Sequence, residues 1–214
     1  MNNLEKKLAK FFKRKYCLLT GNGTTGMYLI FSNFKKKISV LYPSITCIQA
    51  VNAAIFAGHK VSFSDVDKNR FVMNYKNFLN SVTEDVSIVV PTHTFGNTCQ
   101  IEEIIEYCKK KKIFVFEDAT QSMGAKINNK ITGSFGNASV LSFGYSKILD
   151  CGYGGCILCD DKITYKNIKK NYLKLNELPK NYLDILKVYK KKFYDLEKKI
   201  SNKKKKIKEI IKLK

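Results

Sequence analysis

With 214 residues, 44% of them apolar, the chain can bury one substantial core and a small appendage besides. Its formal charge of +21 suggests a polyanion partner, yet only Arg14 and Arg70 among 39 basic residues are arginines, so the bidentate contacts of nucleic-acid readers are nearly absent. Neither nucleic acid nor membrane is expected as a partner: no apolar run reaches bilayer length, no apolar leader follows MNNLEKKLAKFFKRK, and a cytoplasmic location follows.

In chain order, residues 2–15 place Leu4, Leu8, Phe11 and Phe12 at helical spacing and predict a leading amphipathic helix. YCLLT then runs into Gly21-Asn22-Gly23-Thr24-Thr25-Gly26, a glycine-rich turn opening a helix over 24–33. Such a turn offers backbone N–H groups and a positive dipole end to an anion, although glycines also simply make turns. ISVLYP (38–43), a helix over 47–57 and VSFSDVD (61–67) give the strand–helix–strand rhythm of a mostly parallel sheet. VSIVVP (86–91) is a further buried strand, followed by Thr92-His93-Thr94-Phe95-Gly96. His93 there is either a proton shuttle or ring contact, or a satisfied hydrogen-bonder. Asn97 and Gln100 mark a helix start, and Ile101, Ile104, Ile105 and Cys108 form that helix's buried stripe.

The stretch from Phe114 to Asp160 concentrates the chemistry. IFVF (113–116) ends in Glu117-Asp118 and ASVLSF (138–143) ends in GYSK, so Asp118 and Lys147, 29 positions apart, can meet across one crevice at the carboxyl ends of two strands. A lysine amine and a carboxylate so placed suit an aldehyde cofactor with a ring nitrogen. The bland readings are a solvated lysine, a helix-capping aspartate and, for Ser142, a core hydroxyl. Seven cysteines, an odd number, are scattered, which argues against a disulfide framework. Cys156 and Cys159 suit a strand better than a metal site, and no metal is expected.

Three ordered motifs carry a resemblance: Glu117-Asp118-Ala119-Thr120-Gln121-Ser122, Ser142-Phe143-Gly144-Tyr145-Ser146-Lys147 and Gly152-Tyr153-Gly154-Gly155. Together they resemble the EDAAQA-like, SF-x-x-x-K and GEGG segments of the DegT/DnrJ/EryC1/StrS family of pyridoxal-phosphate-dependent sugar aminotransferases. The resemblance implies an α/β fold, the large domain of fold type I (the aspartate aminotransferase type), with a mostly parallel sheet flanked by helices over residues 1–160. It implies Lys147 as the Schiff-base lysine and proton carrier, Asp118 as partner of the pyridinium nitrogen, and Gln121 as a second ring contact. Ser142, Thr24 and Thr25 would hold the cofactor phosphate.

The implied reaction moves an amino group, from glutamate as donor, onto a keto group of a nucleotide-linked sugar, in a homodimer. Relatives with a dehydratase role replace the lysine, so Lys147 favours amino transfer. Two positions depart from the pattern. Cys47 stands where an aromatic ring follows the threonine matching Thr46, leaving Tyr42 or Phe95 to cover the pyridine face, and Tyr153 replaces the Glu of GEGG. These departures support an alternative, a catalytically weak remnant serving as a binding or regulatory module.

Residues 161–214 read as a lysine-rich helical extension in place of the usual small domain, with 19 lysines against 6 acids and no glycine. Pro179 divides it. Leu186, Tyr189, Phe193, Leu196 and Ile200 then recur in three- and four-residue steps, as an amphipathic helix or a short coiled-coil seam. The run 201–214 is expected to fray or stay solvated.

Overall fold

A computed structural model describes residues 1–176 and 181–212. The elements are α1 (Asn3–Phe11), β1 (Tyr16–Thr20), α2 (Gly23–Phe31), β2 (Ser39–Pro43), α3 (Ile48–Phe56), β3 (Lys60–Ser64), α4 (Tyr75–Ser81) and β4 (Val86–Val89). They continue as α5 (Ile101–Lys111), β5 (Phe114–Asp118), β6 (Lys126–Ile127), β7 (Lys130–Ile131), β8 (Ala138–Ser142), β9 (Gly155–Cys159), α6 (Lys162–Tyr172) and α7 (Tyr182–Lys212). Seven strands form one sheet in the order β1-β9-β8-β5-β4-β2-β3. All neighbours pair in parallel except β9, which runs antiparallel to both β8 and β1. The carboxyl ends of β1, β4, β5 and β8 therefore share one edge with the start of β9.

The sheet is covered on both faces, which is why its strands are nearly continuous apolar runs. On one face Leu29, Ile30 and Phe31 of α2 pack with Val40, Tyr42, Ile88, Phe116, Ile157 and Cys159. Full burial of each large side chain contributes about 1.5–3 kcal/mol. The other face carries Phe12, Leu141, Cys156 and Leu158 beside the end of α1. Cys156 and Cys159 thus lie on opposite faces of β9 and serve as core residues.

The leading helix turns differently from the expectation. Leu4 and Phe11 are exposed, and the inward row is Glu5, Leu8, Ala9 and Phe12. Glu5 is inside because its carboxylate is fully used: Oε1 accepts the Leu19 N–H at 3.0 Å, and Oε2 closes a capping box with the Asn2 N–H at 2.7 Å. Gln100 precedes α5 without a side-chain cap and instead accepts the Tyr75 N–H. Two features have no counterpart in the sequence reading: the short helix α4, and the β6–β7 hairpin, which turns through Asn128 and Asn129 in left-handed backbone (φ 46° and 63°).

The chain divides into two compact units, Met1–Leu175 and Asn176–Lys214. The first runs past Asp160, because Ile168 and Tyr165 of α6 enter the same core as α2. In the second, α7 continues to Lys212, through the run expected to fray or stay solvated. Tyr189, Leu196 and Ile200 are each more than half exposed along it. Pro179 lies outside the described residues.

Candidate active site

Strand alternation sends Glu117 and Asp118 to opposite sides of β5, and both are buried. Glu117 is an anchor. Its Oε1 accepts the Gly133 N–H at 2.6 Å and faces His93 Nε2 at 3.2 Å, and its Oε2 accepts the Phe135 N–H at 2.7 Å. Burial works against a charged His93, but the Cys99 thiol and the Glu117 carboxylate outweigh it and raise its pKa to about 10. Nε2 faces Glu117 Oε1 at 3.2 Å, and Nδ1 lies 3.1 Å from the Cys99 backbone N–H, so both ring nitrogens have a partner. His93 is a satisfied hydrogen-bonder.

Asp118 faces the crevice. Its backbone ties β5 to the end of β4, donating to Pro91 O at 2.9 Å and accepting the His93 N–H at 3.1 Å. Burial pushes its carboxyl pKa up, opposed by the Thr120 N–H on Oδ1 at 3.0 Å, the Thr120 hydroxyl, and the charge of Lys147. A buried carboxylate at a strand end, within electrostatic reach of a lysine, is what a crevice for a cationic ring nitrogen requires.

Three segments converge beside it. Asn22 caps α2 by accepting the Thr25 N–H at 2.7 Å, which leaves Thr24 and Thr25 in a first turn whose dipole end is positive. A Cβ on Gly23 would lie 3.2 Å from the Ser142 Cβ and 3.4 Å from Thr120 Cγ2, so this turn abuts the ends of β8 and β5. One on Gly155 would lie 2.7 Å from Asn22 C, Gly23 N and Leu141 O, so only glycine lets β9 start so close to α2. The glycine-rich segment is therefore a spacer behind the first turn of α2.

Lys147 is half-buried in the turn after β8. Ser146 holds a left-handed φ of 59° immediately before it, and Phe143 closes the loop, donating to Gly154 O at 2.8 Å and accepting the Cys151 N–H at 2.9 Å. Gln121 Oε1 accepts the Phe95 N–H at 3.2 Å and so fixes the turn after β4. Of the two rings considered in place of Cys47, Tyr42 is fully buried with its hydroxyl on Ala50 O, and cannot cover a ligand. Phe95 is 73% exposed. Cys47 itself is exposed at the start of α3.

The structure thus assembles Thr24, Thr25, Asp118, Ser142 and Lys147 on one sheet edge, with Gln121 beside them. Asn22, Glu117 and Thr120 lie inside the sequence motifs without a role that the motifs assign. A polar residue before an apolar helical run is the signal that marks Asn22. An acid inside an otherwise apolar strand marks Glu117. An amine, a buried carboxylate and a glycine-lined anion cradle along one edge are a donor set that pyridoxal phosphate fits.

The fold and this edge define a pyridoxal-phosphate-type α/β transferase domain. A family model for DegT/DnrJ/EryC1/StrS aminotransferases matches residues 1–177, and the chain belongs to that family. It is 29% identical over 167 residues to GDP-perosamine synthase from Escherichia coli O157:H7, covering 77% of this chain and 46% of that protein. GDP-4-keto-6-deoxy-D-mannose 3-dehydratase from Yersinia pseudotuberculosis is 27% identical, over 75% of this chain and 43% of the relative. A solved GDP-4-keto-6-deoxymannose-3-dehydratase with a trapped PLP-glutamate geminal diamine superposes with a TM-score of 0.73 at 25% identity, covering 83% of this chain and 52% of that one. The chain spans less than half the length of these curated relatives.

Proposed function

We propose that this chain is the cofactor-binding part of a pyridoxal-phosphate-dependent aminotransferase that moves an amino group, with glutamate as donor, onto a keto group of a nucleotide-linked sugar. The observation that carries the reading is Asp118, buried at the end of β5 within electrostatic reach of Lys147, with the start of α2 against Ser142. Pyridoxal phosphate, when bound, supplies an aldehyde carbon that holds amino groups and a ring that draws electrons from them.

The chain's own residues supply the rest. Asp118 holds the proton on the ring nitrogen, because a buried carboxylate is stabilised by a facing cation. Thr24, Thr25 and Ser142 hold the phosphate at the positive end of α2. Lys147 would hold the cofactor through its aldehyde carbon, and its amine, within electrostatic reach of Asp118, would be the group that accepts and returns the substrate proton. Gln121 steadies the Phe95 turn at the rim of the site. Keeping Lys147, Asp118 and Ser142 together favours amino transfer over both dehydration and a non-catalytic binding role.

A homodimer is part of the proposal: α3 and β3 expose Ile48, Ile55, Phe56 and Phe63, an apolar surface that a second copy would cover. Among the described residues no helix is long and apolar enough to cross a membrane. The cytoplasm remains the proposed location.

The test is spectroscopic. Pyridoxal phosphate added to the purified chain should produce a visible absorbance band that borohydride abolishes, and peptide mapping should then find the label on Lys147. Label on another lysine overturns the assignment. Mass spectrometry of a GDP-4-keto-6-deoxy sugar incubated with the protein and glutamate should show replacement of the keto oxygen by an amine.

A further inference from the structure

A cavity of about 1080 Å³ opens at the amino-terminal edge of the parallel strands, opposite Asp118 and Ser142. Its wall includes Ile38 before β2, Ser87 in β4, Phe114 at the start of β5, and Asn137 before β8. Lys13, Lys35, Lys36, Lys109, Lys112 and Lys130 surround it together with Arg14. Asp160, the single acid on the wall among the described residues, is already paired with Arg14 at 3.1 Å.

The ordinary explanation is that these lysines offset helix dipoles, since α1, α2 and α5 all end here. Three carboxyl ends present about 1.5 negative charges between them, about a quarter of the six lysine charges, so the cavity stays strongly positive. Backbone strain points the same way. Lys13 and Lys112 hold left-handed φ values of 53° and 57° just past α1 and α5, where glycine would be free of strain. Both side chains line this one cavity.

Arg14 is a built part of the wall. It is only 8% exposed, with Nη1 donating to Ser134 O and Gly136 O and Nη2 to Asn137 O. Its buried Nε has no acceptor. Among the polar residues of the wall stand two half-buried rings, Phe34 and Phe114, which meet edge to face at 5.5 Å beside Ile38 and Ile113.

We propose that this cavity binds a nucleoside polyphosphate, with its phosphates among Lys13, Lys112 and their neighbours and its base against Phe34 and Phe114. The positive charge calls for several negative charges on one ligand, and a phenylalanine ring beside the lysines offers a face or edge to a planar base. A concave site of this size holds one small molecule rather than tracking a strand of nucleic acid. The site uses none of the residues on the cofactor edge.

The test is an equilibrium titration of the full chain with ATP and GTP, beside inorganic triphosphate and adenosine, at low and high salt. At least one nucleotide should bind, more tightly than triphosphate, with affinity falling as salt rises. The double variant K13G/K112G should melt no lower than the wild type, because glycine relieves both left-handed positions, and should bind the nucleotide about tenfold more weakly. If that variant fails to fold, K35Q/K36Q carries the same expectation from exposed positions. Lys147→Ala should leave nucleotide binding unchanged. The proposal is overturned by no binding of either nucleotide, by triphosphate binding as tightly, by unaltered affinity in the lysine variants, or by loss of binding in Lys147→Ala.

Discussion

Asp118 and Glu117 are neighbours in sequence with opposite electrostatic situations. Glu117 has three donors around it, whereas burial raises the Asp118 carboxyl pKa without an equal set of donors. A raised carboxyl pKa means that the folded state binds more protons than the unfolded one between the ordinary carboxylate range and the folded value. Stability therefore falls as pH rises through that window, and cofactor-free protein should be more stable at neutral pH as Asp118→Asn than as wild type. The same variant should lose orders of magnitude in turnover, since it keeps size but removes the charge facing the ring nitrogen. Thermal melts across pH and a turnover assay check both; a less stable, fully active variant would make Asp118 a structural cap. Glu117→Gln should do the reverse. An amide cannot accept from all three donors, so one buried N–H loses its partner at a cost of about 2–3 kcal/mol, visible as a lower Tm with the ring-nitrogen chemistry untouched.

At the scale of elements, the anion cradle depends on how closely β9 approaches α2. Gly155→Ala would force a Cβ into backbone atoms of Asn22, Gly23 and Leu141 at 2.7 Å, and backbone cannot swing aside as a side-chain end does. The first turn of α2 should be displaced from Ser142. Pyridoxal phosphate affinity, read by titration of the visible band, should drop together with Tm. Gly124→Ala is the control: its Cβ meets nothing within 4 Å, although its φ of 91° still strains any side chain, so it should lower Tm and leave cofactor affinity intact. Equal affinity losses in both variants would separate the cradle from the glycine contact.

For the molecule as a whole, the row on α7 separates packing from surface chemistry. Leu196 is 58% exposed in the single chain, so Leu196→Ala should change Tm by no more than the equivalent of about 0.5 kcal/mol when the protein is dilute. A row burying itself against another helix would cost about 2–5 kcal/mol per such truncation. Melts over a range of concentrations distinguish the two: a loss that grows with concentration would mean that copies associate through α7.

Alternation and helical period made most of the scaffold legible. ISVLYP, VSIVVP, IFVF and ASVLSF became strands because nearly every residue in them is apolar and β-prone, as a sheet covered on both faces demands. The placement of Asp118, Ser142 and Lys147 on one edge was legible because strand ends deliver side chains there and the motifs keep their order. Other features were decided by contacts that no local pattern contains. Glu5 is buried and Leu4 exposed because distant Leu19 offers an N–H to a carboxylate. Tyr42 is withdrawn from the crevice because Ala50 O is within its reach. The lysines at 13 and 112 look like solvated charge in sequence; they surround one cavity only because the chain order of the sheet brings the ends of α1, α2 and α5 to a single edge.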